Sequence, residues 1–236
     1  MQASEPFTFQ VNEAHSVSAL LLAPPGARAG YVFAHGAGAG MTHSFMEAVA
    51  QGLAERGIAS LRYQFPYMER GSKRPDTPVL AQATVRAAVD TASHRLRGLP
   101  LFAGGKSFGG RMTSQAQAAA PLPGVQGLVF VGFPLHPAGE PSSTRAEHLD
   151  QVQCPMLFLQ GTRDELADSD LITTLMDHLG PRATLHSIPD ADHSFHVPAR
   201  SGRKDADVLS DLLDVTARWI AAVLTRQSPV LRPASR

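Results

Sequence analysis

One serine in this chain is surrounded by glycines in a pattern that can make a hydroxyl group reactive. Residues 105–109 read Gly-Lys-Ser-Phe-Gly and match G-x-S-x-G, with Ser107 at the centre. The motif comes shortly after an apolar segment, residues 101–103, and a helical run begins at Phe108. So tight a turn strains its central residue, and glycines remove the Cβ atoms that would clash. The pattern predicts a nucleophilic Ser107 at the carboxyl edge of a sheet, where open α/β sheets bind ligands.

A serine hydroxyl needs a base to take its proton, and the base needs a carboxylate to orient it. Asp164 follows the apolar run 155–160, and His193 follows the next strand-like run, 183–188. Parallel strands bring their carboxyl ends to one edge of a sheet, so both side chains should reach Ser107 there. The order serine, acid, histidine therefore predicts a triad of Ser107, Asp164 and His193.

Neighbouring side chains leave alternatives to this triad open. Three more acids near Asp164 could take its place, although acids at a helix start commonly serve as caps: Glu165, Asp168 and Asp170. His196 lies three residues after His193, and such a pair can bind a metal, but no third ligand is spaced to complete the site. We expect neither a metal nor an organic cofactor.

Two glycine-rich stretches look like nucleotide loops but depart from those patterns. A phosphate-binding loop ending at Ser107 would need glycine at position 100, which is Pro100. A dinucleotide loop starting at Gly36 would need glycine at position 41, which is Met41. The remaining alternative for residues 105–109 is a plain turn of small residues.

The loop after the first predicted parallel strand could stabilise a negatively charged oxygen. A tetrahedral intermediate needs backbone N–H donors, and one is expected from Phe108, the residue after the nucleophile. The second should come from residues 35–38, with Ala37 as the first choice and Gly38 as the next. The alternative is a flexible turn without a chemical role.

Composition limits the classes of protein that this chain can be. It has 236 residues, 43% of them apolar and 18% charged, which excludes a disordered or membrane-embedded chain. Lysine plus arginine and aspartate plus glutamate both number 21, so charge favours neither nucleic acid nor an anionic membrane as a partner. The single cysteine, Cys154, and a start without a signal-peptide pattern predict a cytoplasmic location.

The hydrophobic pattern predicts the elements that must position these residues. Residues 7–11 and 17–22 alternate as an antiparallel pair, after which buried strands alternate with helices. The predicted parallel strands are 31–34, 58–61, 101–103, 125–133, 155–160 and 183–188, and the clearest helices are 43–56, 78–96, 108–120 and 205–224. The sequence thus predicts an α/β fold with about eight strands in a mostly parallel sheet flanked by helices. Residues 1–225 form one domain in this prediction, residues 64–77 a solvated loop, and residues 226–236 a disordered tail.

Four strings in order resemble the α/β-hydrolase superfamily. They are VFAHGAGAGM at 32–41, GGKSFGG at 104–110, LFLQGTRDEL at 157–166 and DADHSF at 190–195. More closely, they look like the small dienelactone-hydrolase-like members, and the resemblance implies the same triad of Ser107, Asp164 and His193. True dienelactone hydrolases use a cysteine nucleophile, whereas position 107 is serine, so we do not expect dienelactone hydrolysis.

The shape of the site can also be predicted from this resemblance. Lipase-like relatives often insert a helical lid where this chain has only the short connection 134–146, so we expect an open site without a lid domain. Five residues after strand ends could line it, or could equally belong to the core: Met41, Phe65, Phe133, His136 and Phe195. Lys106 is expected to be a solvated side chain, with a position near the substrate as the alternative.

The function that these observations favour is hydrolysis of ester-type acyl bonds in a small ester or thioester through an acyl-enzyme. A protein-binding scaffold without activity and a small serine peptidase remain alternatives. The sequence does not determine the substrate or the oligomeric state.

Overall fold

A mixed sheet of eight strands runs through the protein. The computed structural model describes residues 2–227 and orders the strands β1-β2-β4-β3-β5-β6-β7-β8. The strands are β1 (Glu5–Asn12), β2 (His15–Leu22), β3 (Ala29–Ala34), β4 (Ile58–Tyr63), β5 (Leu101–Lys106), β6 (Val125–Val131), β7 (Met156–Gly161) and β8 (Ala183–Ile188). β1 pairs antiparallel with β2, and β2 pairs antiparallel with β4. All pairs from β4 to β8 are parallel. The predicted fold class, with two antiparallel and six parallel strands, is confirmed.

Residues 2–227 contain six α-helices, five of them between strands and the sixth after the last strand. They are α1 (Ser44–Glu55), α2 (Pro66–Glu69), α3 (Pro78–Arg95), α4 (Phe108–Ala119), α5 (Ser169–Leu179) and α6 (Asp205–Gln227). Short 3₁₀ helices occur at Thr144–Gln151, Gly180–Arg182 and Ala199–Ser201. Within residues 2–227, none of the helices is long and apolar enough to cross a membrane.

The helices cover both faces of the sheet, which produces two apolar cores. In β3, Tyr31 and Phe33 point into the core that α1 and α6 cover, whereas Val32 and Ala34 point into the core beneath α3, α4 and α5. This alternation follows from the period of two in a β-strand. Because both faces are buried, every residue of β3 is buried, and the strand reads as a continuous apolar run.

Small side chains set the distance between α1 and α6. A Cβ atom at Gly52 of α1 would lie 2.3 Å from Leu213 Cδ1 of α6. Glycine therefore lets the two helices pack closely over the same face of the sheet.

Several boundaries differ from the sequence prediction. The segment 64–77 is not a solvated loop throughout, since it contains α2, and Phe65 and Tyr67 are fully buried. Arg70 is exposed and pairs with Asp76, and the charged residues of this segment concealed the buried aromatic residues that precede them. α6 continues to Gln227, three residues beyond the predicted end. Residues 228–236 of the predicted disordered tail lie outside the described residues.

The predicted absence of a lid is confirmed at the connection after β6. Residues 132–143 contain neither a helix nor a strand and lead directly to the 3₁₀ helix Thr144–Gln151. The carboxyl ends of β5 to β8 are therefore not covered by an inserted helical domain at this point of the chain.

Candidate active site

Ser107 lies at a strained turn between β5 and α4. Its φ of 49° and ψ of −115° are rare for a residue with a side chain. The surrounding glycines allow the turn because a Cβ at Gly105 would lie 2.5 Å from the carbonyl oxygen of Ala34. At Gly109 a Cβ would lie 2.6 Å from the carbonyl oxygen of His35. The glycines of the motif thus bring the turn against the loop that follows β3.

An unbroken series of hydrogen bonds joins the three predicted triad residues. The Ser107 Oγ lies 2.8 Å from His193 Nε2, and His193 Nδ1 lies 2.7 Å from Asp164 Oδ2. A carboxylate can only accept, so Nδ1 carries the imidazole proton and Nε2 accepts from the serine hydroxyl. The structure therefore brings these residues together from the carboxyl ends of β5, β7 and β8.

The Asp164 carboxylate is fully buried and accepts hydrogen bonds from three partners. Besides His193, the side-chain amide of Gln160 donates to Oδ2 over 2.5 Å, and the backbone N–H of Leu166 donates to Oδ1 over 2.8 Å. Gln160 Oε1 in turn accepts from the N–H of Phe133 at 2.9 Å, which determines the orientation of its amide. These donors offset the cost of burying the carboxylate and hold it facing the imidazole.

Gln160 was not identified from the sequence. It lies four residues before Asp164 in the predicted strand 155–160, and a buried polar residue in an apolar strand was the available signal. The nearby acid Asp168 has a different role, because its carboxylate accepts from the N–H groups of Asp170 and Leu171 and caps α5. This is the capping alternative considered for the acids of this segment.

Two acidic residues, one within the loop that carries His193 and one at the start of α6, form hydrogen bonds that hold this loop. Asp192 Oδ1 accepts from the N–H groups of Ser194 and His196 at 2.8 and 3.0 Å. His196 Nδ1 lies 2.9 Å from Asp205 Oδ2 at the start of α6. The pair is exposed, and the carboxylate raises the pKa of His196. His196 thus connects the loop to α6.

His35 supports the loop after β3. Its Nδ1 lies 2.8 Å from the carbonyl oxygen of Gly36, and its Nε2 accepts from the N–H of Phe65 at 3.1 Å. Burial lowers the pKa of His35 to about 4, so the ring is neutral near pH 7. A neutral ring with its proton on Nδ1 satisfies both contacts. The loop is therefore held by a defined hydrogen bond rather than being a free turn.

The two residues predicted to supply N–H donors, Ala37 and Phe108, lie close to Ser107. Ala37 lines the cavity in front of the serine, whereas the N–H of Gly38 donates to the Tyr67 hydroxyl at 3.2 Å. Phe108 is the first residue of α4, and the first N–H groups of a helix have no acceptor within the helix itself. The geometry favours Ala37 over Gly38 as the second donor.

Lys106 is not the solvated side chain that we expected. Its ammonium group donates to the carbonyl oxygen of His193 at 2.7 Å and lies 5.4 Å from the centre of the Phe195 ring. Burial lowers the pKa of Lys106 to about 8, although Asp164 and Asp192 counteract this effect. The side chain therefore lies at the site, among the residues that line the cavity in front of Ser107.

A cavity of about 380 Å³ opens in front of Ser107. Its lining residues are Gly36, Ala37, Ala39, His43, Phe45, Met46, Lys106, Ser107, Leu166, His193 and Ser194. The lining combines apolar side chains with the serine, the imidazole and one ammonium group. A cavity of this size suits a small organic substrate.

The five predicted lining residues are not among those that line this cavity. Phe65 and Phe133 are fully buried in the core, where Phe65 contacts the Phe108 ring and Phe133 packs on Phe130. His136 is buried between two backbone groups, the carbonyl oxygen of Pro137 at 2.8 Å and the N–H of Asp168 at 2.9 Å. These three positions follow strand ends, but their side chains point into the protein.

Met41 and Phe195 complete this correction. Met41 is buried, and its backbone contacts the side chains of Gln64 and Arg62. Phe195 is buried and stacks on Phe45 with a centroid distance of 6.0 Å. Phe45, from the start of α1, therefore lies at the cavity in its place.

This sheet, with a strained serine elbow at the carboxyl end of β5, is the α/β-hydrolase fold. The chain belongs to the alpha/beta hydrolase domain family, whose model matches residues 27–221. The resemblance drawn from the four sequence strings is thereby confirmed.

Solved structures with the same fold include proteins described as serine hydrolases. A dienelactone hydrolase from Anabaena variabilis is 22% identical, with a TM-score of 0.72 over 94% of this chain and 99% of that one. A serine hydrolase without a lid from Xanthomonas campestris is 23% identical, with a TM-score of 0.71 over 93% and 96%. A serine hydrolase homologue from Coxiella burnetii is 18% identical, with a TM-score of 0.71 over 92% and 98%. At these identities the likeness shows the fold.

Proposed function

We propose that this protein is a serine hydrolase that cleaves ester-type acyl bonds through an acyl-enzyme. In this proposal Ser107 is the nucleophile, His193 the general base and Asp164 the acid that orients the base. The observation that carries the proposal is the pair of hydrogen bonds, 2.8 and 2.7 Å long, from the Ser107 hydroxyl through His193 to the buried Asp164 carboxylate. A serine hydroxyl is a weak nucleophile without such a base.

Acylation follows from this arrangement. Ser107 Oγ attacks the carbonyl carbon while His193 Nε2 takes the hydroxyl proton, and the Asp164 carboxylate stabilises the resulting imidazolium. The N–H groups of Ala37 and Phe108 donate to the oxyanion of the tetrahedral intermediate. One such donor contributes roughly 3 kcal/mol to transition-state stabilisation. When the intermediate collapses, the imidazolium gives its proton to the leaving alkoxide or thiolate.

Deacylation repeats these steps with water as the nucleophile. Nε2 of His193 takes a proton from a water molecule, which attacks the acyl carbon attached to Ser107 Oγ. The same N–H donors stabilise the second oxyanion, and the proton returns to the serine oxygen as the acid leaves. Every proton transfer in the cycle passes through the imidazole.

The cavity supports a small ester or thioester as the substrate class. Its volume of about 380 Å³ and the apolar side chains of Phe45, Met46 and Leu166 suit a short acyl or alcohol group. No helical lid follows β6 in residues 132–143, so a small substrate can enter from solvent. An exposed entrance of this kind does not require an aggregated lipid surface.

The test combines labelling and turnover. A fluorophosphonate probe should label Ser107 stoichiometrically, and Ser107→Ala should lower kcat for p-nitrophenyl acetate by at least about 10³-fold. Ser93→Ala, a change at an exposed serine of α3, is the matched control and should leave both readouts unchanged.

Other outcomes would redirect or refute the proposal. Absence of both labelling and ester turnover would refute it and favour a binding scaffold. Turnover of peptide anilides in preference to esters would favour a peptidase with the same triad. Among esters, a series of acyl groups from short to long would define the chain-length preference.

A further inference from the structure

The Lys106 side chain connects two loops of the candidate site. Its stem lies beside Gly36, where a Cβ atom would be 3.5 Å from Lys106 Cγ, and its ammonium reaches the carbonyl oxygen of His193 at 2.7 Å. The lysine immediately precedes Ser107, so one short segment carries both the serine and a contact to the backbone of the histidine. The same ammonium lies over the Phe195 ring.

The acceptor of this hydrogen bond is a neutral carbonyl group. Asp164 and Asp192 attract the ammonium electrostatically, but among residues 2–227 no carboxylate forms an ion pair with Lys106. Lys106 is partly buried, and withdrawing an ammonium from water without an opposite charge in contact costs free energy. An apolar side chain of similar length would fill this space without that cost, so packing alone does not account for a lysine here.

The loop that Lys106 contacts has little regular structure. Between the end of β8 at Ile188 and the start of α6 at Asp205, the chain forms turns and one short 3₁₀ helix. Asp190 and Phe195 adopt positive φ values of 60° and 65°, so the backbone on both sides of His193 is strained. The main chain of the histidine therefore benefits from an external anchor.

We propose that Lys106 is a positioning residue that anchors the main chain of His193 and so keeps the imidazole in line between Ser107 and Asp164. The inference rests on the proposed function for the kinetic consequence, whereas the anchoring itself concerns only the hydrogen bonds of the folded protein. A displacement of the base by about 1 Å can lower a rate about 10²-fold. Loss of the anchor should therefore affect kcat more than KM.

Three substitutions distinguish the role of the Lys106 ammonium group from that of its aliphatic stem. Lys106→Met keeps an unbranched stem and removes the donor, Lys106→Arg keeps a cationic donor, and Lys73→Met removes an exposed lysine as the matched control. With p-nitrophenyl acetate, which is uncharged, we expect Lys106→Met to lower kcat about 10- to 100-fold and to change KM less than about twofold. Lys106→Arg should recover part of the loss, and Lys73→Met should behave as wild type. The melting temperature of Lys106→Met should stay the same or rise, because a partly buried charge has been removed.

The pH profile gives a readout that a packing role would not change. As pH rises through about 8, Lys106 loses its charge and its hydrogen bond to the carbonyl group of His193 weakens. The charged and titratable groups that face it are Asp164 after β7 and Asp192 and His193 after β8. The wild type should lose kcat above about pH 8, and Lys106→Met should lack this decline.

A proton NMR spectrum tests the anchoring without any catalytic turnover. The Nδ1 proton of His193, hydrogen-bonded to Asp164, should give a downfield resonance in the wild type that broadens or disappears in Lys106→Met and persists in Lys73→Met. An unchanged resonance together with unchanged kcat would overturn the proposal, and so would a rise in KM alone, which would indicate substrate binding instead. A lost resonance in a protein whose Ser107 is not labelled would support the anchor while refuting the proposed hydrolase function.

Discussion

Replacing His35 with Gln should make the stability of this protein less sensitive to acid. The imidazole is fully buried, contacts the carbonyl oxygen of Gly36 through Nδ1, and accepts from the N–H of Phe65 through Nε2. Protonation would place a second N–H on the ring, opposite the donor of Phe65, inside the protein. Burial therefore lowers the pKa of His35 to about 4.

The magnitude follows from the two protonation equilibria. Above the ordinary histidine pKa of about 6.5 the ring is neutral in both the folded and the unfolded chain, and its full contribution to stability is present. As pH falls from about 6.5 towards 4, His35 becomes protonated in the unfolded chain but stays neutral in the folded protein. Between pH 7 and pH 5 this difference removes roughly 2 kcal/mol of unfolding free energy. His148, with a pKa also lowered to about 4 by burial and by Arg111, should add a smaller amount, because it is only partly buried and solvent screens its charge.

The assay is urea denaturation at several pH values between 7 and 5, analysed by linear extrapolation. A Gln side chain can donate to the carbonyl oxygen of Gly36 and accept from the N–H of Phe65, yet it does not titrate. The comparison therefore isolates the effect of protonating residue 35 on stability. The loss of stability between pH 7 and pH 5 should be smaller by roughly 2 kcal/mol in His35→Gln than in the wild type. His148→Gln provides a second variant, and His94→Gln, at an exposed position, serves as the control.

The same slope of stability against pH in the wild type and in both buried-histidine variants would refute this reasoning. A steeper slope in His35→Gln would mean that the ring is charged in the folded protein. If only His148→Gln reduces the slope of stability against pH, the acid sensitivity arises from His148, whose Nε2 lies 2.7 Å from Ser114 Oγ, and not from His35 in the loop after β3.

Two further predictions concern the acids near the site. Asp164→Asn should lower kcat by about 10³–10⁴-fold with a small change in KM, because the N–H of Leu166 would hold the amide oxygen at the Oδ1 position and leave the amide N–H groups at the Oδ2 position, opposite His193. An effect under tenfold in steady-state kinetics would argue against Asp164 as the orienting acid. Asp168→Ala should keep kcat and lower the unfolding free energy by about 1 kcal/mol, since it removes the cap of α5, and a large loss of kcat would contradict that role.

The alternation of strands and helices along the chain and the convergence of the distant triad positions could be predicted from the sequence. Each of these features depends on a short local pattern, such as an apolar run, a glycine-flanked serine or a polar residue just after a strand. The carboxyl ends of parallel strands lie at one edge of the sheet, so Ser107, Asp164 and His193 could be assigned to the same place without knowing any contact. Their catalytic roles stay a prediction until the variants are measured.

The direction of side chains after a strand end could not be predicted in the same way. Once a chain leaves the sheet, the period of two no longer determines which side chain points inward, and packing against other segments decides. Phe65 and Phe133 therefore lie in the core instead of the cavity, while Phe45, from a helix start, lines the cavity in front of the serine. No pattern within the loops themselves distinguishes these cases.

The amino-acid sequence by itself determined the sheet, its helical layers and the edge at which the serine, the acid and the histidine meet, because these follow from periodicity and from glycine positions along short segments. Only the tertiary structure decided that Gln160 orients the Asp164 carboxylate and that Lys106 contacts the backbone of His193. The Lys106 contact joins residues 87 positions apart in the chain. Such a contact depends on the distance between packed segments, and no local preference encodes that distance.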